Sequence, residues 1–107
     1  MPGRMKHISR ETVAQALNEL PPSFDTHDVE RRILRRRPAE FAQELLTFQA
    51  DVDRLMRFSM VFSRWLGSTF STHIGKSGVG KIRTLNLGGE PSASKVWRKV
   101  APAARID

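Results

Sequence analysis

The 107-residue chain has no cysteine and no tyrosine. Without cysteine it can form no disulfide, no thiolate metal site and no thiol nucleophile. No apolar run approaches the roughly eighteen residues that a membrane-spanning helix needs. Met1 to Arg10 lacks the apolar stretch of a secretory signal, so a cytoplasmic location and no membrane partner are expected. The lack of tyrosine, and of an aromatic platform outside the apolar faces, argues against stacking on single-stranded bases. Acids are scarce in one half only. Residues 1–50 hold eight Lys/Arg and seven Asp/Glu, whereas residues 51–107 hold ten and four. Between Arg54 and Ile106 the only acid is Glu90.

The net charge is +7. A field this one-sided favours an anionic partner, and nucleic acid is the commonest for an intracellular chain. Arginine outnumbers lysine thirteen to five, which suits bidentate contacts with phosphates or guanine edges. The length fits a single domain over residues 9–100, with a flexible arm at 1–8 and a flexible tail at 101–107.

Periodicity gives helices first. Ser9 caps a helix from Arg10 to Leu20 whose Val13, Ala16, Leu17 and Leu20 share a face, and Pro21-Pro22 ends it. Asp25 or Thr26 caps a second helix over about 27–36. Pro38 suits the first turn of a third, with Phe41, Leu45 and Phe48 as its buried stripe. A break near Gln49–Asp51 leads into a fourth helix that Gly67 ends. Its broad face carries Val52, Leu55, Met56, Ser59, Phe62, Ser63 and Leu66, with Phe58 and Trp65 widening it. Arg54, Arg57 and Arg64 lie opposite, and Met56 and Met60 read as core packing. After Gly67 the composition turns strand-like, predicting a hairpin from Phe70–Ile74 and Lys81–Leu87 with Gly78 near its tip. Ser92 then caps a short closing helix through Val100.

Gly75 to Lys81 fits the first seven positions of a phosphate-binding loop, G-x-x-x-x-G-K. Ile82 stands where the magnesium-binding hydroxyl belongs, and a strand rather than a helix follows, so nucleotide hydrolysis is not expected. A basic glycine-rich loop that approaches a polyanion is the better reading. Three groups of cations then stand as nucleic-acid contacts. Arg31, Arg32, Arg35 and Arg36 form a dense cluster, extended by Arg37, whose like charges repel at helical spacing. Lys76, Lys81 and Arg83 flank the glycine-rich loop. Lys95, Arg98 and Lys99 surround Trp97, which reads as a core anchor.

Chemistry has no comparable support. His7, His27 and His73 show no metal spacing, and His27 reads as an exposed structural residue beside Asp25 and Asp28. Ser71, Ser77, Ser92 and Ser94 have no evident His/Asp partners. Asp51 and Asp53 face different sides of a helix. No catalytic residue, metal site or cofactor is assigned.

The expected fold is mainly α: a bundle of three to four helices with a C-terminal β-hairpin. The helices around Val13–Leu20, Val29–Leu34 and Phe41–Phe48, followed by the wing-like Ile74–Leu87, resemble a winged-helix DNA-binding domain. That resemblance implies a helix-turn-helix protein acting in transcription regulation. In such domains the third helix normally reads the major groove, but here that helix carries Glu40 and Glu44 and no Lys or Arg after Arg37. Pro38–Gln49 is therefore not assigned to base readout. The expected function is non-enzymatic binding of duplex DNA by a small regulator or accessory factor. The alternatives are a module docking an acidic protein, and RNA binding.

Overall fold

The computed structural model describes residues 5–107. Ser9 caps helix α1 (Arg10–Glu19) by accepting from the Thr12 backbone N–H at 3.1 Å. Val13, Ala16 and Leu17 face the core, and Leu20 closes the helix before the proline pair. A short strand β1 (Ser23–Asp25) follows. Asp25 ends that strand and opens helix α2 (Thr26–Arg36) through a reciprocal capping box. Its Oδ1 accepts from Asp28 N at 3.1 Å, and Asp28 Oδ2 accepts from Asp25 N at 3.0 Å. Pro38 occupies the first turn of α3 (Pro38–Leu45), where a missing N–H costs nothing.

Helix α4 (Arg54–Thr69) is the longest element. Phe58, Phe62 and Leu66, spaced by four, are fully buried. Phe58 meets Phe41 edge-on with centroids 5.0 Å apart and stacks on Phe62 at 5.6 Å. The expected stop at Gly67 is corrected: the helix runs on to Thr69. Gly67 serves a close approach instead. A Cβ there would stand 2.7 Å from Cη2 of the Trp97 indole. Leu55, expected in the core, is half-buried near Gly88, and Val52 is exposed in the loop before α4.

The rest is a sheet. Strand β2 (Ile74–Leu85) pairs antiparallel with β3 (Pro91–Lys99), and β3 pairs with β1, giving the order β1-β3-β2. The mainly α reading is therefore overturned: four helices pack with a three-stranded antiparallel sheet in an α+β fold. The closing helix expected at Ser92–Val100 is a strand. Ala93, Val96, Trp97 and Val100 fit helical spacing, but pairing with strands on both sides decides. The hairpin expected within residues 70–87 has its turn elsewhere, at Asn86–Glu90. There Gly89 takes φ +79°, and Asn86 Oδ1 accepts from Gly88 N at 2.8 Å and Glu90 N at 3.0 Å.

Gly78 sits in a large bulge of β2. The register passes from Lys76 opposite Trp97 to Lys81 opposite Lys95. Residues 77–80 thus span what Val96 alone spans on β3, and Gly80 takes φ +81° to make the detour.

Parts of the two segments expected to be flexible contact the fold. Of the arm, residues 1–4 lie outside the described residues. The backbone N–H groups of Lys6, His7 and Ile8 all donate to Glu44 Oε1, at 2.9, 2.6 and 2.9 Å, and Met5 and Ile8 join the core. In the tail, Asn18 pairs with the Ile106 backbone at 2.7 and 2.8 Å while the Ile106 side chain is buried.

Candidate nucleic-acid interface

Helix α4 and the β2–β3 ribbon stand apart enough to leave a trough between them. Two open cavities, about 190 and 310 Å³, share Ser63, Arg64 and Lys95 in their walls and so form one continuous depression. Lys81 lines the first and Lys76 the second, while Met56 and Met60 of α4 form the opposite lip. Among the described residues no carboxylate lines either cavity.

The cations crowd one another. Lys81 and Lys95 are direct cross-strand neighbours, an arrangement that like charges disfavour. The Lys95 ammonium is pushed below its ordinary value, first by burial and then by Lys76 and Lys81. Its Nζ lies 4.9 Å over the Trp97 ring, which offers partial compensation. An anion in the trough would relieve the repulsion.

The floor is a hydrogen-bonded layer. Trp97 Nε1 donates to Thr26 Oγ1 at 3.0 Å, and Thr26 Oγ1 lies 3.3 Å from Ser63 Oγ. Ser94 Oγ donates to Asp25 Oδ1 at 3.0 Å and accepts from His27 N at 3.1 Å. His27, expected exposed, is buried, and its Nδ1 lies 2.8 Å from Thr84 Oγ1. Burial holds the imidazole below its ordinary value despite the opposing charge of Asp25. Serine, histidine and aspartate therefore meet here, but the imidazole bonds Thr84 and meets Ser94 only through its backbone. The group is a staple between α2 and the sheet, without a nucleophile–base pair.

Beneath the floor lies Glu30. Its Oε1 accepts from Ser59 Oγ at 3.1 Å, and its buried Oε2 has no partner among the described residues. Burial pushes this carboxyl up to about 8, with Ser59 and Arg31 opposing. At neutral pH it is a neutral acid and adds little negative charge under the cations.

The sequence-derived contacts divide. Lys76, Lys81 and Lys95 come together in the trough, and exposed Arg83 continues the same strand. Arg98 is exposed on β3, opposite Ser23 and Gly75. Lys99 is buried, and its Nζ donates to Leu20 O at 2.6 Å, so it is committed to the core. The arginine cluster is largely engaged within the molecule. Arg31 donates to Leu85 O at 2.7 Å and to Asp28 at 2.9 Å. Arg32 lies 3.6 Å from Glu19, Arg36 bonds Glu19 and Gln15, and Arg37 faces Glu40 at 3.8 Å. Arg35 is exposed beside a shallow pocket with Leu20, Asp28, Arg31 and Arg32.

Arg64, Met56 and Met60 escaped the sequence reading. Arg64, assigned to the side away from the fold's business, is an exposed wall of the trough. The two methionines, expected in the core, are 49% and 51% exposed. The available signal was that α4 contains no acid at all.

Among the described residues no three metal-ligating side chains cluster. No described helix is long and apolar enough to cross a membrane. No family model, curated protein or solved structure matches the chain.

Proposed function

We propose that the chain is a non-enzymatic duplex-DNA-binding protein that captures phosphates in the α4/β2–β3 trough. One observation carries this reading: Arg64, Lys76, Lys81 and Lys95 converge on a single depression whose walls hold no carboxylate among the described residues. Building it costs charge repulsion that a polyanion returns as binding energy. A cytoplasmic setting and a regulatory or accessory role belong to the same proposal. The Arg31–Arg36 cluster is secondary, because most of its guanidiniums already have intramolecular partners.

The test is a salt series of binding to a labelled mixed-sequence duplex. Three phosphates neutralised by Lys76, Lys81 and Lys95 give a log–log slope of about −2.7, and Lys76→Ala, Lys81→Ala or Lys95→Ala each reduces it by roughly 1. Arg31→Ala and Arg35→Ala change it less. No duplex binding at about 50 mM salt and micromolar protein ends the proposal, since non-specific affinity alone reaches about 10⁻⁴–10⁻⁶ M at physiological salt. Tight capture of an acidic peptide in that same experiment favours a protein partner.

A further inference from the structure

The outward side of α4 is unusual for a solvent-facing helix. Met56, Met60, Arg64 and Ser68 are its exposed positions at four-residue intervals, so they line up as one stripe. Such stripes ordinarily carry charged residues of both signs. This one begins with two half-exposed thioethers and ends with a guanidinium and a hydroxyl. The stripe is about 18 Å long at the helical rise, or roughly five base-pair steps. Lysines 76, 81 and 95 of the ribbon flank it across the trough.

We infer that Met56, Met60 and Arg64 are the sequence-reading residues of the DNA interface, with α4 seated in the major groove. The inference rests on the duplex-binding reading above. The flanking lysines point to a polyanion as occupant, and an apolar protein surface would leave them unpaired. Phosphate contact alone leaves the methionines without a role, because a thioether is only a weak acceptor. Base edges supply one: the thymine 5-methyl is the apolar group of the major groove, and guanine O6 and N7 accept from an arginine fork. The B-form major groove, about 12 Å wide, admits a helix, whereas the A-form major groove of duplex RNA is deep and narrow. The interface is thus selective for DNA, with thymines near the N-terminal end of α4 and guanine near Arg64.

The experiment selects binders from a randomised duplex library with the wild-type protein. The selected duplex is then rebuilt with uracil in place of every thymine, which deletes the 5-methyl groups and nothing else. Wild-type affinity should fall by about fourfold for each methyl contacted. Met56→Ala/Met60→Ala should bind both duplexes alike. Both side chains are half-exposed, and an unchanged urea midpoint verifies the fold of the variant. Arg64→Ala should lose the preference for guanine at one position of a repeated selection. Selection of no sequence, methyl-insensitive binding by the wild type, or an undiminished uracil effect in the double variant overturns the inference while leaving duplex binding intact. Absence of any duplex binding overturns both.

Discussion

Replacing Glu30 with glutamine should remove much of the pH dependence of this protein's stability. In the folded chain the carboxyl is fully buried, has one oxygen without a partner among the described residues, and ionises near 8 instead of 4.5. The folded state therefore keeps a proton that the unfolded state releases. Stability is greatest below the unfolded value and is lost as pH climbs from 4.5 to about 8. Each unit is worth about 1.4 kcal/mol, so the full loss approaches about 5 kcal/mol, with about 3 already gone at pH 7. For a small domain of about 5–15 kcal/mol this is a large share. His27 works in the opposite direction: its imidazole is held neutral by burial, so stability falls as pH drops through 6.5. The difference between wild type and variant isolates the Glu30 contribution. Glutamine still accepts from Ser59 but buries an amide N–H₂ where Oε2 lay, so the slope carries the test, not the absolute value. Urea midpoints should show the wild type losing about 3–4 kcal/mol relative to Glu30→Gln between about pH 5 and 8.5. Curves parallel to within about 0.5 kcal/mol would refute the reasoning.

Gly67→Ala places a methyl 2.7 Å from the Trp97 ring, and the overpacking should cost about 1–3 kcal/mol and shift the tryptophan emission; an unchanged urea midpoint would mean the indole can step aside freely. Glu44→Ala removes the acceptor of three backbone N–H groups, so amide exchange at Lys6, His7 and Ile8 should accelerate and stability fall by about 2–3 kcal/mol. Retained protection at those amides would show that Met5 and Ile8 alone hold the segment.

Local signals were legible where a residue has one strong local job. Ser9 and Asp25 announce their helices because a side-chain oxygen facing free N–H groups acts within three residues. Pro38 does the same for α3. Val13, Leu17, Phe41, Phe62 and Leu66 stand out as core because large apolar groups recur at helical spacing. What could not be read depends on partners far along the chain. β1 is three residues long and exists only by pairing with β3. β3 fits helical spacing, and only its neighbours make it a strand. Gly67 signals a helix stop locally, yet its purpose is set by Trp97 thirty residues on. For the trough, charge alone points to Lys76, Lys81 and Lys95. Arg64 and the methionines were hidden because the apolar face of α4 is wide enough to absorb them, and Lys99 misled because a lysine stem can bury its head against a carbonyl.

The pairing of β1 with β3 also has a temporal meaning. Residues 23–25 meet residues 96–98, Lys99 N donates to Pro22 O, and Ile106 closes on Asn18. Until the last dozen of these residues leave the ribosome, α1 and α2 can be wound but their sheet-side partners do not exist. The helical half can pack its own faces first, and the sheet closes only once β3 is available. Contacts of such long sequence separation place its folding among the slower small domains, despite its four helices. Loss of β3 should leave the helices packed on one another but strip the sheet from the core, opening Phe24 and Ile74 to chaperones.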